Sequence, residues 1–302
     1  MNTSSPAPDN QTESYQSVTE KRGARFKRVP LRLIIPNMVT LLALCAGLTS
    51  IRMAIEERWS IALLAIFLAA ILDGLDGRVA RLLNGTSKFG AELDSLADFV
   101  NFGVAPAILI YAWILEGFES LGWLAAMLYA ISGALRLARF NVALDDPNKP
   151  AWANRFFTGV PAPAGAIIVL LPLYMEQLGL PHYNDAAPLV AIYTVFSGLL
   201  MVSQLPTYSG KQMGTRIKRQ LVMPIIVVLV ALVGLLISYP FQFLTVITIA
   251  YLISIPFSWR SYKKLCKKDG TSQWCDDDSV SISFDDEDDT VIVSHEKKNK
   301  ND

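Results

Sequence analysis

Long apolar stretches separated by short polar connections follow one another from residue 33 to residue 257. Each is roughly 17 to 25 residues long, which suits an α-helix that crosses the hydrocarbon core of a bilayer. Apolar residues are continuous in these stretches and do not alternate with polar ones, so the pattern indicates helices and not a β-barrel. We therefore predict an all-α polytopic membrane helix bundle with about eight transmembrane helices, at 33–54, 61–83, 96–115, 121–140, 160–176, 187–203, 221–237 and 240–257.

The composition agrees with a membrane protein, because 52% of the 302 residues are hydrophobic and 18% are charged. The net charge is zero, but every second polar connection is basic, and the intervening connections carry one basic residue, Arg58. Because basic loops stay in the cytoplasm, both termini and the connection between the second and third spans are predicted to be cytoplasmic. The basic clusters lie at 21–32, 78–88, 136–155, 211–219 and 260–268.

Four regions differ in composition and define the predicted domain organisation. Residues 1–21 are polar and predict a disordered leader, and 22–32 form a basic juxtamembrane segment suited to anionic lipid headgroups. Residues 33–258 form the membrane domain. Residues 259–302 form a basic-then-acidic tail, whose runs of like charge predict a solvated, disordered segment.

Four aspartates, Asp73, Asp76, Asp94 and Asp98, lie at the cytoplasmic ends of the second and third predicted spans. Carboxylates at a membrane edge are costly and mark functional sites by default. Because residues three or four apart share one helix face, two neighbouring antiparallel helices would bring all four together. Single acids at span ends commonly mark the interface. Four at these spacings, with small residues between them, predict a site.

Four carboxylates packed together repel one another unless they share protons or bind cations. A ligand set of oxygens without His or Cys favours Mg²⁺, Mn²⁺ or Ca²⁺ over zinc. Mg²⁺ also takes phosphate oxygens as ligands, so the cluster suits a diphosphate substrate. Gly77, Ala80 and Gly90 leave room for a bulky ligand, and Arg81 would neutralise phosphate charge or orient a carboxylate.

Residues 73–98 read Asp-x-x-Asp-Gly-x-x-Ala-Arg, eight further residues, and Gly-x-x-x-Asp-x-x-x-Asp. At every position this resembles the signature of the CDP-alcohol phosphatidyltransferases, which implies transfer of a phosphatidyl group from a CDP-linked lipid to an alcohol, with release of CMP. The resemblance implies that Asp73, Asp76 and Asp94 hold two divalent metals, Mg²⁺ or Mn²⁺, on the diphosphate. It implies that Asp98 also faces the metals and acts as general base. By the same resemblance Gly77, Ala80 and Gly90 border the nucleotide, and Arg81 supports the acids or the phosphates.

Further segments resemble, more narrowly, the bacterial membrane-integral phosphatidylserine synthases, and this resemblance covers residues 30–260. It implies CDP-diacylglycerol and L-serine as substrates, contact with membrane lipids, and a homodimer in the bacterial inner membrane with its active site facing the cytoplasm. No nucleic-acid partner is expected. The segments that carry the resemblance are 36–40, 95–106, 136–141 and 157–164.

Asn37 and Thr40 are polar residues one turn apart on the first span and are candidates for contacting the nucleotide. The alternative is that they cap a helix that begins after Pro36.

Arg136 and Arg139 end the fourth span on the cytoplasmic side, where arginines commonly extend to the interface. The competing interpretation is that they bind the serine carboxylate or the donor phosphate. Lys88 and Arg155 are weaker candidates for the same role.

Two other functions stay open at this point. The first is a member of the same family that uses another acceptor, namely glycerol 3-phosphate, inositol phosphate or choline, although the flanking segments favour serine. The second is a protein of a different class, a divalent-cation transporter in which the acids line the ion pathway. The acids lie at one membrane face, whereas a transport site belongs near the midplane, so the sequence favours the enzyme.

Overall fold

The computed structural model describes residues 31–83, 85, 87–144, 156–181, 184–203, 205–208, 222–268, 281–284 and 291–294. These residues are mostly helical. The α-helices are α1 Leu31–Ile55, α2 Trp59–Leu82, α3 Lys88–Asp98, α4 Ala105–Trp113, α5 Glu119–Leu144, α6 Ala162–Val169, α7 Leu171–Gln177, α8 Ala187–Val202, α9 Val222–Ser238 and α10 Pro240–Lys268. A π-helical segment, Phe99–Val104, joins α3 to α4, and 3₁₀ turns occur at Leu115–Phe118 and Asn184–Ala186.

Five helical segments among the described residues are long and apolar enough to cross a membrane: Ile34–Ile55, Trp59–Leu82, Lys88–Trp113, Leu115–Val142 and Pro240–Ser261. They confirm the predicted all-α membrane bundle. The predicted fifth run is divided into the short helices α6 and α7. Helices α8 and α9 have 16 and 17 residues. At ~1.5 Å per residue, α8 is about 24 Å long, so the number of eight spans stays a prediction.

Prolines lie at two helix interruptions, the π-helical segment before α4 and the break between α6 and α7. At each of them, a tyrosine hydroxyl from a neighbouring helix donates a hydrogen bond to the backbone carbonyl that the proline leaves without its usual donor. Pro106 has no N–H to donate to the carbonyl of Phe102, four residues earlier. That carbonyl accepts a hydrogen bond of 3.0 Å from the hydroxyl of Tyr129 on α5. Within a membrane, backbone groups released by proline need such partners.

The second proline has the same arrangement. Pro172 is the second residue of α7 and cannot donate to the carbonyl of Ile168 in α6. The hydroxyl of Tyr193 on α8 donates to this carbonyl at 2.7 Å. The interruption of the fifth predicted span therefore follows from Pro172, and tertiary contacts stabilise it.

The core lies where α1 packs on α2 and where α5 packs on α8 and the π-helical segment. A Cβ built on Gly133 of α5 would lie 3.3 Å from the Cα of Gly103 in that segment, so the two backbones approach closely. Small residues permit this kind of contact between membrane helices. By contrast, α9 has no buried residue and presents apolar side chains on all its faces.

Two short antiparallel pairs of strands accompany the helices. Strand β1, Phe156–Thr158, pairs with β2, Pro206–Tyr208. Strand β3, Ser281–Phe284, pairs with β4, Val291–Ser294, in the tail for which the sequence predicted disorder. The predicted leader 1–21 lies outside the described residues.

Candidate active site

The predicted acidic cluster forms where α2 ends and α3 begins. One carboxylate oxygen from each of Asp73, Asp76 and Asp94 lies within 4.8 Å of the other two. The helices reach this arrangement through a tight connection, at whose end Ser87 caps α3. The Ser87 hydroxyl accepts a 2.9 Å hydrogen bond from the amide of Gly90. Helical spacing and this cap together place the acids of α3 opposite those of α2.

Asp98 lies one turn further along α3 than Asp94 and outside the group of three. Its side chain is within hydrogen-bonding reach of Asp73. Among the described residues, one carboxylate oxygen each of Asp94 and Asp98 is buried without a hydrogen-bond partner. Buried carboxylate oxygens without donors fit a cation, and an all-oxygen ligand set fits Mg²⁺ or Mn²⁺. The residues present therefore suit a divalent metal.

Thr40 of α1 belongs to the cluster through a direct hydrogen bond. Its hydroxyl donates to the Oδ2 atom of Asp76 at 2.8 Å and also lies 3.2 Å from the carbonyl of Pro36. Since α1 begins at Leu31 and contains Pro36, the alternative that Asn37 and Thr40 cap a helix starting after Pro36 is wrong. The hydrogen bond from Thr40 orients the carboxylate of Asp76.

A cavity of about 170 Å³ opens beside Asp76 and Asp94. It lies between the first turns of α1, the end of α2 and the beginning of α3, and the predicted nucleotide-contacting residues Asn37, Thr40, Gly77, Ala80 and Gly90 are among those that line it. The lining residues are Pro36, Asn37, Thr40, Asp76, Gly77, Ala80, Gly85, Ser87, Gly90, Ala91 and Asp94.

The two glycines of the motif have different surroundings in this cavity. A Cβ built on Gly77 would have no atom within 4 Å, so this backbone faces open space. A Cβ on Gly90 would lie 2.8 Å from the Oδ1 atom of Asn37. Gly77 thus leaves space for a ligand, whereas Gly90 allows α1 to approach α3.

The predicted basic residues are distributed over different environments. The Nε atom of Arg81 donates to the carbonyl of Gly77 at 3.0 Å, and its side chain is exposed. Lys88 lies at the first turn of α3 and is exposed. Arg155 lies outside the described residues.

Arg136 and Arg139, one turn apart on α5, have different partners. Arg139 donates to the carbonyls of Val202 and Ser203 at 2.6 and 3.2 Å, and so binds the C-terminal end of α8. Arg136 is 8% exposed and lies within electrostatic range of Asp98 and Asp73. Of the two, Arg136 is the arginine that faces the acids.

A contact that the sequence did not predict joins α5 to the acidic helix. The side-chain amide of Asn141 donates to the hydroxyl of Ser95 at 3.0 Å, and Ser95 directly follows Asp94. The cap Ser87 has a recognisable signal, a serine before a helix start. Asn141 has none, because its partner is distant in the sequence.

Comparison with known proteins gives matches over most of the chain. A family model described as CDP-alcohol phosphatidyltransferase matches residues 33–203, and one described as CDP-alcohol phosphatidyltransferase 2 matches 220–256. A CDP-diacylglycerol--serine O-phosphatidyltransferase of Mycobacterium leprae is 41% identical over 236 residues, 78% of this chain and 77% of the relative. Proteins with the same name from Helicobacter pylori and Methanocaldococcus jannaschii are 33% and 37% identical, over 75% and 59% of this chain and 91% and 77% of the relatives.

Proposed function

Since the chain belongs to the CDP-alcohol phosphatidyltransferase family, we propose that it transfers the phosphatidyl group of CDP-diacylglycerol to the hydroxyl of L-serine and releases CMP. The observation that carries this proposal is the convergence of Asp73, Asp76 and Asp94, with Asp98 beside them, next to an open cavity. The serine acceptor rests on the names of the relatives. The transporter alternative has no support in these comparisons.

In the proposed reaction, Asp98 accepts the proton of the serine hydroxyl as the serine oxygen forms a bond to the phosphorus that carries diacylglycerol. The bond from this phosphorus to the oxygen of CMP breaks, and CMP leaves. Asp98 suits the role because it is partly buried and one of its oxygens has no hydrogen-bond donor within the described structure. A general base needs such an oxygen within reach of the acceptor hydroxyl.

Asp73, Asp76 and Asp94 are the proposed ligands of two divalent ions, Mg²⁺ or Mn²⁺, with Asp98 facing them. Bound there, the ions would neutralise the diphosphate and stabilise negative charge on the CMP leaving group. Thr40 fixes one ligand, because its hydroxyl donates to Asp76. The position of Asp76 is therefore held before the substrate enters.

The cavity beside the acids is the proposed site of the CDP moiety. Asn37, Gly77, Ala80 and Gly90 line it. The acyl chains of the donor would stay in the bilayer, against the apolar side chains that α1 and α2 expose. Arg81 directly follows the lining residue Ala80 on α2, and its guanidinium is the proposed partner of the phosphates.

We predict that Gly77→Ala raises the KM for CDP-diacylglycerol by about tenfold, since a lost or blocked contact of ~1.4 kcal/mol has that effect. The added methyl group would enter the open space of the cavity and meet no protein atom. The thermal midpoint in detergent should therefore not fall, because alanine is also the better helix former. Gly74→Ala is the matched control, because a Cβ there also has no neighbour within 4 Å and Gly74 does not line the cavity. Equal KM values for the two variants would contradict the placement of the donor.

Arg136 is the proposed group for the serine carboxylate. It is buried, faces Asp98, and lies with its guanidinium carbon 5.7 Å from the centre of the Phe140 ring. Arg139 is less suited to the acceptor because it binds the end of α8. Lys88 and Arg155 remain weaker candidates for phosphate binding.

The acceptor is tested with purified protein, CDP-diacylglycerol, Mn²⁺ or Mg²⁺, and one acceptor at a time. We predict CMP release that requires both L-serine and metal, with phosphatidylserine as the lipid product. The comparison acceptors are glycerol 3-phosphate, inositol phosphate and choline. Release of CMP with one of these and not with serine would overturn the serine assignment and leave the reaction class intact.

The proposal places the site at the cytoplasmic face of the bacterial inner membrane, since the connection between α2 and α3 lies in a basic cluster. Homodimerisation is proposed from the family resemblance. Cross-linking in native membranes tests the dimer.

A further inference from the structure

Helix α10 lies outside the segment that carries the acidic motif, yet one of its faces is part of the protein interior. It packs against α6, α7 and β2. The side chains of Leu244, Thr248 and Ser258 are each 1% exposed, and their spacing defines this buried face. Tyr251 lies between them in the sequence, one turn after Thr248 and two turns before Ser258.

Tyr251 brings a polar atom to the acidic side of the bundle. Its hydroxyl oxygen is buried, and the side chain lies within electrostatic range of the Arg136 guanidinium. Arg136 interacts with Asp98 and Asp73 at the same time. Arg136 therefore interacts with both the proposed general base and a phenol group from α10.

Arg136 has unused binding capacity in this position. It is 8% exposed, and its Nε atom has no hydrogen-bond partner among the residues that the structure describes. A guanidinium offers five N–H donors in a planar arrangement that matches a carboxylate. Divalent ions bound at the acids would compete with Arg136 for electrostatic interaction with the carboxylates of Asp73 and Asp98. An anion supplied by the acceptor then becomes the natural partner of this buried cation.

We propose that the Tyr251 hydroxyl and the Arg136 guanidinium together bind the α-carboxylate of L-serine, so that α10 contributes to the choice of acceptor. Serine is short, so a group that holds its carboxylate must lie close to the base that receives its hydroxyl proton. Arg136 satisfies this condition through its interaction with Asp98. A phenol O–H is a second donor to the same carboxylate and has no comparable interaction with an acceptor that lacks one. This inference rests on the proposed serine transfer.

The test is the variant Tyr251→Phe, assayed for CMP release with L-serine and with L-serinamide, in which a neutral amide replaces the carboxylate. We expect the KM for L-serine to rise about tenfold or more, the effect of losing a hydrogen bond to a charged group. The KM for CDP-diacylglycerol should stay within twofold of the parent value. The preference for L-serine over L-serinamide, measured as the ratio of their kcat/KM values, should fall by the same factor as the KM for L-serine rises. The unchanged donor KM shows that the variant is folded.

Tyr193→Phe is the matched control, since the Tyr193 hydroxyl donates to the carbonyl of Ile168 in the protein interior. It should lower the thermal midpoint and leave both KM values and the acceptor preference unchanged. An unchanged serine KM in Tyr251→Phe would overturn the role of α10. An equal rise in KM for serine and serinamide would overturn it too, because that indicates a general structural effect. The parent protein separates the two proposals: if it releases no CMP with serine, the proposed function fails before any variant is compared.

Discussion

Asp98→Asn is expected to lower the rate of serine-dependent CMP release by about 10²–10⁴-fold, the usual contribution of a general base. The amide has nearly the same shape as the carboxylate but cannot take the proton of the serine hydroxyl. The measurement is the rate of CMP formation at saturating L-serine, CDP-diacylglycerol and Mn²⁺. Saturating metal matters because Asp98 also faces the proposed metal ligands.

Asp185→Asn is the control for this experiment. Asp185 is exposed in the 3₁₀ turn Asn184–Ala186, so the same chemical change there should leave the rate unchanged. The thermal midpoint of Asp98→Asn in detergent should equal or exceed that of the parent, because the substitution removes one of several neighbouring negative charges. A rate within threefold of the parent value would rule out Asp98 as the base.

Removing divalent metal with a chelator is expected to abolish CMP release, and adding Mn²⁺ or Mg²⁺ should restore it. The physical reason is that Asp73, Asp76 and Asp94 hold three carboxylate oxygens within 4.8 Å, and the diphosphate brings further negative charge to them. Without cations this repulsion opposes binding of the donor. The measurement is initial rate against free metal concentration.

Asp94→Asn separates a role in metal binding from other roles of the cluster. We expect the Mn²⁺ concentration for half-maximal activity to rise by about 100-fold, at the upper end of the effects seen when the surroundings of a metal are altered. Direct Mn²⁺ binding to the protein without substrates, followed by electron paramagnetic resonance, should weaken in parallel. Glu92→Gln is the control, since Glu92 is an exposed acid on the same helix. Full activity in the chelated parent protein would contradict the metal proposal.

The acidic cluster was predictable because its geometry is local. Asp73 and Asp76 lie one turn apart on α2, Asp94 lies on the following helix, and a short connection joins these two helices, which both pack against α1. Helical periodicity and the short connection together made the convergence of these acids predictable. The membrane-spanning character of the bundle was predictable for a similar reason, since it depends on the length of apolar runs.

Contacts between distant elements were not predictable in this way. Arg136 and Arg139 have the same apparent role in the sequence, and the structure separates them because the end of α8 lies beside one and the acids beside the other. The division of the fifth predicted span was not predicted, because hydropathy does not register the missing N–H of Pro172. The bond from Asn141 to Ser95 depends on how α5 packs against α3, which no local pattern encodes.

The tyrosines that donate to proline-released carbonyls have a consequence for how such proteins diverge. The Tyr129 hydroxyl donates to the carbonyl of Phe102 a hydrogen bond that Pro106 cannot give. The contribution of either residue to stability therefore depends on the presence of the other. Replacing the tyrosine alone leaves the carbonyl of Phe102 without a donor in an apolar environment. Replacing both residues returns a backbone N–H at position 106 that can donate to this carbonyl. Positions 106 and 129 should accordingly change together among relatives, as a pair inherited or replaced as a unit. The helix irregularity next to Asp98 would then persist through sequence drift in the surrounding lipid-facing residues.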